Sequence, residues 1–440
     1  MFGWFYKRRQ RTHVSVPASD LRWRRAAPIV ESTLPRFQNL GSDIGPLGAA
    51  DTGDRTRVRN AFSPTRPIND VRLFAGRDEV MQSLIRSIED MNLHLILYGE
   101  RGIGKTSMLH ILTHLARQAR YQVVYHSCGE EQTFSDVFRG VAGEIPLLYD
   151  NRFGASAEET ERGGALADLL PAGNFSPSQL TEAFSHLAST RVLILLDEFD
   201  RSPEGSFRRN VAELIKNLSD RSVRVQLVIA GVAGNLAELI EHIPSIRRNI
   251  YGVRVPEMTS GEIGQMISIG EGVSGLKFGT AAQDRVALIA NGSPYLASLL
   301  AQYAGFNALD EGTIDVDERH VGFACGQVAE ELRQRLSDKS IAATDRALAA
   351  GKGPVLLLLS GLAMRRMGRL DDSALRQHFG SPSFLDVAED LRANYGLLTE
   401  EPLENDRRFT FVEEAVPIYL WTRLTSDDDS LARQLAAESA

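Results

Sequence analysis

The chain has 440 residues, 43% hydrophobic and 24% charged, enough for a large core spread over two or three domains. No apolar run reaches the roughly 18 residues of a membrane-spanning helix, and the only cysteines, Cys128 and Cys325, have no Cys or His companions at metal-ligand spacing. That excludes a disulfide framework or a structural zinc and fits a reducing, cytoplasmic compartment. The net charge of −8 is uneven, with +6 on residues 1–36 and −14 on the rest, so the body is a poor general nucleic-acid surface.

The first stretch, "MFGWFYKRRQR", is aromatic before it is basic, the reverse of a secretory signal. Residues 1–68 lack sustained periodicity and are dotted with Pro and Gly, so a basic, mostly disordered arm is expected there. Trp4, Phe5, Tyr6 and Trp23 beside its Lys and Arg residues also suit nucleic acid, an acidic partner or weak membrane contact. Order begins at 69. Val80, Met81, Leu84, Ile85 and Ile88 recur at helical spacing, and the apolar runs "LHLILY", "YQVVYHS", "RVLILLDE", "RVQLVIAG" and "NIYGVRV" then alternate with helical segments. The alternation predicts an α/β core over 69–258, a parallel sheet with helices on both faces. Within it, 150–178 reads as an inserted loop with a short helix around Ala165 to Leu170. Residues 259–350 show helices only and predict a helical lid. Three helical stretches and two strands around a polar turn over 351–424 predict a winged-helix domain, followed by an acidic, Ala-rich tail at 425–440.

"GERGIGKTS" carries the chemistry. Gly99, Glu100, Arg101, Gly102, Ile103, Gly104, Lys105, Thr106 and Ser107 follow an apolar strand and open an amphipathic helix. The glycines let backbone N–H groups converge on phosphate oxygens, and the helix start adds its positive dipole end. Lys105 can reach the β and γ phosphates of ATP, and the Thr106 hydroxyl can ligate Mg²⁺. In "RVLILLDEFDR" a buried strand delivers Asp197 as a second Mg²⁺ ligand and Glu198 as the residue that orients or deprotonates the attacking water. The pair of motifs predicts Mg-dependent hydrolysis of ATP to ADP and phosphate.

"LFAGRDEV", "YGERGIGKTS", "LILLDEFDR" and "IPSIRRNIYGVRVPEMTSGEI" together resemble AAA+ P-loop ATPases of the Orc/Cdc6-like group and their STAND-type and transposition relatives, over about residues 70–305. The resemblance implies that Gly76 and Arg77 bind nucleotide. It implies that Arg247 or Arg248, with Arg248 preferred, completes a neighbouring subunit's site, so that the protein is a homo-oligomer in its ATP state. Two positions depart from the pattern. Gly231 stands where the family places a polar sensor, so that role is absent or displaced to Asn235, and Tyr295 stands where many members place an arginine.

The expected third helix of the winged-helix domain, 383–396, carries Asp386, Glu389 and Asp390 against Arg392 alone, which does not favour DNA. Arg365, Arg366, Arg369, Arg407 and Arg408 keep binding by another face open. Three functions follow: a slowly hydrolysing conformational switch that engages a protein partner, a DNA-associated ATPase in replication, transposition or anti-phage defence, and a non-hydrolysing nucleotide-binding scaffold.

Overall fold

The computed structural model describes residues 53–427 apart from 153–163, 189, 203–204, 237–238, 240–245, 367, 376–382 and 403–406. The features expected of the arm up to Thr52, and of the tail from 428 onward, lie outside the described residues. Among the described residues, no helix is long and apolar enough to cross a membrane.

The central sheet is built from β1 (His94–Gly99), β2 (Gln122–Ser127), β3 (Val192–Asp197), β4 (Val225–Val232) and β5 (Ile250–Arg254), in the order β2-β3-β4-β1-β5 and parallel throughout. These are the five strands expected from the apolar runs. Their side chains alternate between two cores. Leu95, Leu97, Leu193, Leu195 and Val228 join helices α2 (Asp78–Glu89) and α3 (Lys105–Gln118) on one face. Ile96, Val124, Ile194, Leu196, Leu227 and Ile229 join α4 (Phe134–Gly143), α5 (Pro177–Ser185) and α6 (Ser206–Asp220) on the other. Both faces being covered is why the strands read as unbroken apolar runs, each fully buried aliphatic contributing roughly 1.5–3 kcal/mol.

The predicted insertion at 150–178 is more than a loop. A one-turn helix at Leu166–Leu169 forms where one was expected, and Leu166, Leu170 and Phe175 are buried in the α4–α6 core.

Regular structure begins before residue 69. Residues 54–61 form a helix of their own, α1 (Asp54–Ala61), which packs on the lid through Val58 and Phe62, both buried. A Cβ on Gly270 would lie 2.2 Å from Phe62 Cζ, so a lid glycine makes the seat for that ring. With one buried residue in eight, this helix has too little apolar content to show a period.

The lid helices α7 (Ser260–Ser274), α8 (Thr280–Ala290), α9 (Pro294–Asp310), α10 (Glu318–Arg333) and α11 (Asp338–Ala349) follow β5. They are not alone, because β6 (Lys277–Phe278) and β7 (Asp315–Val316) pair in parallel between them, two residues each and too short to register as alternation. The C-terminal part runs α12 (Gly353–Met364), β8 (Arg369–Asp371), α13 (Asp372–Leu375), α14 (Phe384–Asp390) with a π-helical turn to Tyr395, β9 (Leu398–Pro402), β10 (Arg407–Phe411) and α15 (Ala415–Asp427). The antiparallel sheet β8-β10-β9 gives the winged helix a third strand. The expected boundary near 350 is not a break in the core. One apolar cluster runs from α1 through the lid into the winged helix. Trp421 of α15 donates its Nε1–H to Ile289 O at 2.8 Å and lies on Gly361, while the Asn291 amide donates to Gly361 O at 3.0 Å. Lid and winged helix are one body.

Candidate nucleotide site

Because β4 lies between β1 and β3, the loop after β1 and the acids after β3 come out at the same edge of the sheet with the end of β4 between them. A cavity of about 770 Å³ opens there, lined by Arg101, Gly102, Gly104, Lys105, Thr106, Ser107, Asp197 and Glu198. Gly102 (φ 75°) and Gly104 (φ 92°) hold left-handed conformations, and the buried Ile103 between them pins the loop to the core. A Cβ on Gly104 would come 2.9 Å from Arg77 Nη1, and one on Gly102 3.3 Å from Tyr295 Cβ. Gly104 caps α3 with no side chain, leaving the first N–H groups of the helix unclaimed at the cavity. A cradle closed to side chains and lined with amides fits phosphate.

Lys105 is nearly buried and its ammonium donates to Gly99 O at 2.9 Å and Glu100 O at 2.7 Å. Burial lowers its pKa to about 8, against the attraction of Asp200 and Asp197. Binding an anion requires the protonated form. ADP affinity is therefore expected to hold up to pH 8 and then weaken about tenfold per pH unit. Calorimetric titrations across that range check it. Lys105→Arg, charged throughout, should flatten the profile, and Lys105→Ala should abolish binding.

Asp197 is buried. Its Oδ2 accepts from the Tyr125 hydroxyl at 2.8 Å and its Oδ1 from the Glu198 N–H at 2.8 Å, each oxygen keeping a lone pair. Burial first, then this hydrogen bond, pushes the Tyr125 phenol up, so it stays a donor. With Thr106 on the same wall, Asp197 can hold a divalent metal beside bound phosphate. Glu198 has φ 51°, an uncommon left-handed conformation for a glutamate, and its Oε2 accepts from Ser127 Oγ at 3.1 Å and Arg201 Nη1 at 2.9 Å.

The match to AAA ATPase domains spans residues 73–229, from the turn before α2 to β4, and takes in both motifs that meet at the cavity. This region is an AAA+ P-loop ATPase domain. Domains of this family bind nucleotide together with a divalent metal. No curated protein matches the chain. Among solved structures, the chain is similar to Cdc6p from Pyrobaculum aerophilum at 17% identity and a TM-score of 0.45, covering 84% of this chain and 98% of that one. It is also similar to the Aeropyrum pernix ORC2 protein at 15% identity and a TM-score of 0.43, over 86% and 98% of the two chains. The Thermotoga maritima RuvB Holliday junction branch migration motor is similar at 15% identity and a TM-score of 0.41, over 79% and 95%.

Not every expected site residue meets in the ATPase site. Gly99, Glu100 and Ile103 form the back of the loop, not the cavity wall. Gly76 and Arg77 are outside the lining too. The Arg77 guanidinium is buried, donating to Ile103 O and, at 3.0 Å, to Pro256 O, and burial lowers its pKa to about 10. Arg77 braces the loop from behind. The charge and the glycine turn were legible; the direction of the side chain was not. Arg247 and Arg248 are exposed just before β5, away from the cavity, with Arg248 Nη2 3.8 Å from Asp220 Oδ1. At Gly231 a Cβ would meet Leu239 Cδ2 at 2.8 Å and Asp200 Oδ1 at 3.0 Å, so a side chain there would require its neighbours to shift. Asn235, the suggested substitute, is outside the lining.

The cavity also uses residues that were not singled out. The segment Phe62–Ile68 straps over it, tied by Ile68 N–H to Ser107 Oγ at 3.0 Å, and Pro64 and Pro67 in "FSPTRPI" were its only visible sign. Met266, Ile269, Pro294 and Ser298 of the lid, Asp200, Arg201, Val232, and Glu414 of the C-terminal body also line it, beside Gly231 and Tyr295, the two positions that depart from the family pattern.

Proposed function

We propose that the protein is a slowly hydrolysing ATPase that works as a nucleotide-dependent switch, assembles with itself in the ATP state and engages a protein partner. Lys105 and the loop amides hold the ATP phosphates, Thr106 and Asp197 hold Mg²⁺, and Glu198 orients the attacking water. The metal, when bound, neutralises charge that develops on the transferred phosphoryl group. The switch reading is supported by the cavity wall: it takes side chains from both the ATPase domain and the lid–winged-helix body, and Arg101 of the loop pairs with Glu414 at 3.3 Å. Slow turnover is supported by Gly231 and Tyr295, where the resembling family has polar and cationic groups. The free, buried Cys128 and Cys325 support a cytoplasmic location.

The choice of a protein partner rests on one observation. The wing and recognition-helix cations, and Lys352 just before α12, are matched to carboxylates: Arg392 to Glu389, Arg407 to Glu400 and Glu389, Arg408 to Asp371 and Glu401, and Lys352 to Asp390. Pairs that remain in contact with solvent, as these do, are weak. The point is the balance over these residues, four cations against six carboxylates with Asp386, which disfavours a phosphate backbone on this face. ATP-loaded protein is therefore expected to pass over duplex DNA at about 150 mM salt without retention. ATP-dependent retention there would replace this reading with the DNA-associated one.

A further inference from the structure

Building on the ATPase reading, we propose that Arg201 reads the γ-phosphate of ATP within its own subunit, leaving Glu198 for the phosphate when ATP binds. Two walls that would flank that phosphate, the end of β4 and the lid, line the cavity with no cationic side chain. Near its end β4 carries Gly231, where a Cβ would crowd Leu239 and Asp200, and the Asp200 carboxylate accepts the Val232 N–H at 2.8 Å. On the lid, Tyr295 presents a phenol whose oxygen accepts from Arg335 Nη1 at 3.4 Å. Arg201 reaches the cavity from a third direction, the one-turn helix Phe199–Arg201 directly after Glu198.

The backbone under Arg201 is fixed while its side chain is not. Phe199 is buried, Ser202 Oγ donates to Phe199 O at 2.6 Å, and Arg208 Nη2 donates to Asp200 O at 3.1 Å. The Arg201 side chain is 53% exposed and its Nη1 lies 2.9 Å from Glu198 Oε2. An exposed Arg–carboxylate pair is held weakly in water, whereas a terminal phosphate carries more charge and accepts a guanidinium in bidentate fashion. ATP therefore competes for Arg201 where ADP does not. The exchange also takes the guanidinium off Glu198 Oε2, which then keeps Ser127 as its partner, and leaves the carboxylate's negative charge uncompensated and better able to polarise a water. One guanidinium thus ties the state of the general base to the third phosphate.

The test is binding, measured by calorimetry with Mg²⁺ and either ADP or a non-hydrolysable ATP analogue. Arg201→Ala should weaken the analogue at least about tenfold, the size of a lost charged hydrogen bond, and leave ADP unchanged. Arg201→Lys should recover part of the loss. Equal weakening of both nucleotides, or of neither, overturns the proposal while the ATPase reading stands. Wild-type protein that binds neither nucleotide overturns both. Because the readout is a ratio of two affinities in one variant, a general loosening of the fold cannot imitate it.

Discussion

Glu198→Gln is expected to lower ATP turnover on the order of 10²–10⁴-fold, the range of a positioned general base, with ATP binding close to wild type. The substitution is nearly isosteric. A glutamine oxygen still accepts from Ser127 and Arg201, and glutamine meets the same left-handed backbone at φ 51° that glutamate already tolerates. What disappears is the ability to take a proton from water. Single-turnover and steady-state phosphate release, with a parallel binding isotherm, separate the two effects. Turnover unchanged in Glu198→Gln would sink every hydrolytic reading and leave the nucleotide-binding scaffold. The outcome also bears on the switch, since a variant that loads ATP without spending it should remain in the assembled state, visible as a raised mass by light scattering.

How much of this was legible in the sequence depends on whether a feature is local. The five strands were, because parallel strands covered on both faces are continuous apolar runs. The loop from Gly99 to Ser107 and the acids at the end of β3 were, because phosphate and metal chemistry restricts residue type at fixed spacing. Arg77 was half legible: its place beside the loop followed from the resemblance, but its turn inward to Ile103 O and Pro256 O is tertiary packing. Arg201 stood in a quoted motif without a role, since nothing local says that Gly231 is crowded by Leu239 and Asp200 or that Arg201 lines the cavity. Glu414, which lines a cavity beside Arg101 313 residues away in the chain, could not be seen at all without the shared core of lid and winged helix. Two-residue strands and a helix with one buried residue fall below the length at which periodicity exists.

The second large effect is expected at Arg248. β5 is parallel to β1, and Ile250 pairs with His94 at the end of the sheet remote from Gly99. Five residues of strand separate the two ends by roughly 17 Å, so Arg248 cannot reach the cavity of its own chain. Its side chain is 76% exposed and 3.8 Å from Asp220 Oδ1, a contact too loose to explain it structurally. As a residue acting on a neighbour's site, its loss should cost 10³–10⁵ in kcat while nucleotide binding and thermal stability hold. Arg247→Ala, at a neighbouring exposed position, is the control that decides between the two. Mixing supplies the sharper measurement. Arg248→Ala retains Glu198, and Glu198→Gln retains Arg248. At an interface between one of each, a single complete site can form, so the mixture should hydrolyse ATP faster than either variant alone. Two variants that stay inactive together, or an Arg248→Ala chain with wild-type turnover, would remove the trans-acting arginine and with it the main reason to expect ATP between subunits. Recovery on mixing would require that each subunit's clock run only beside another, which makes assembly a condition of turnover and not a consequence of it.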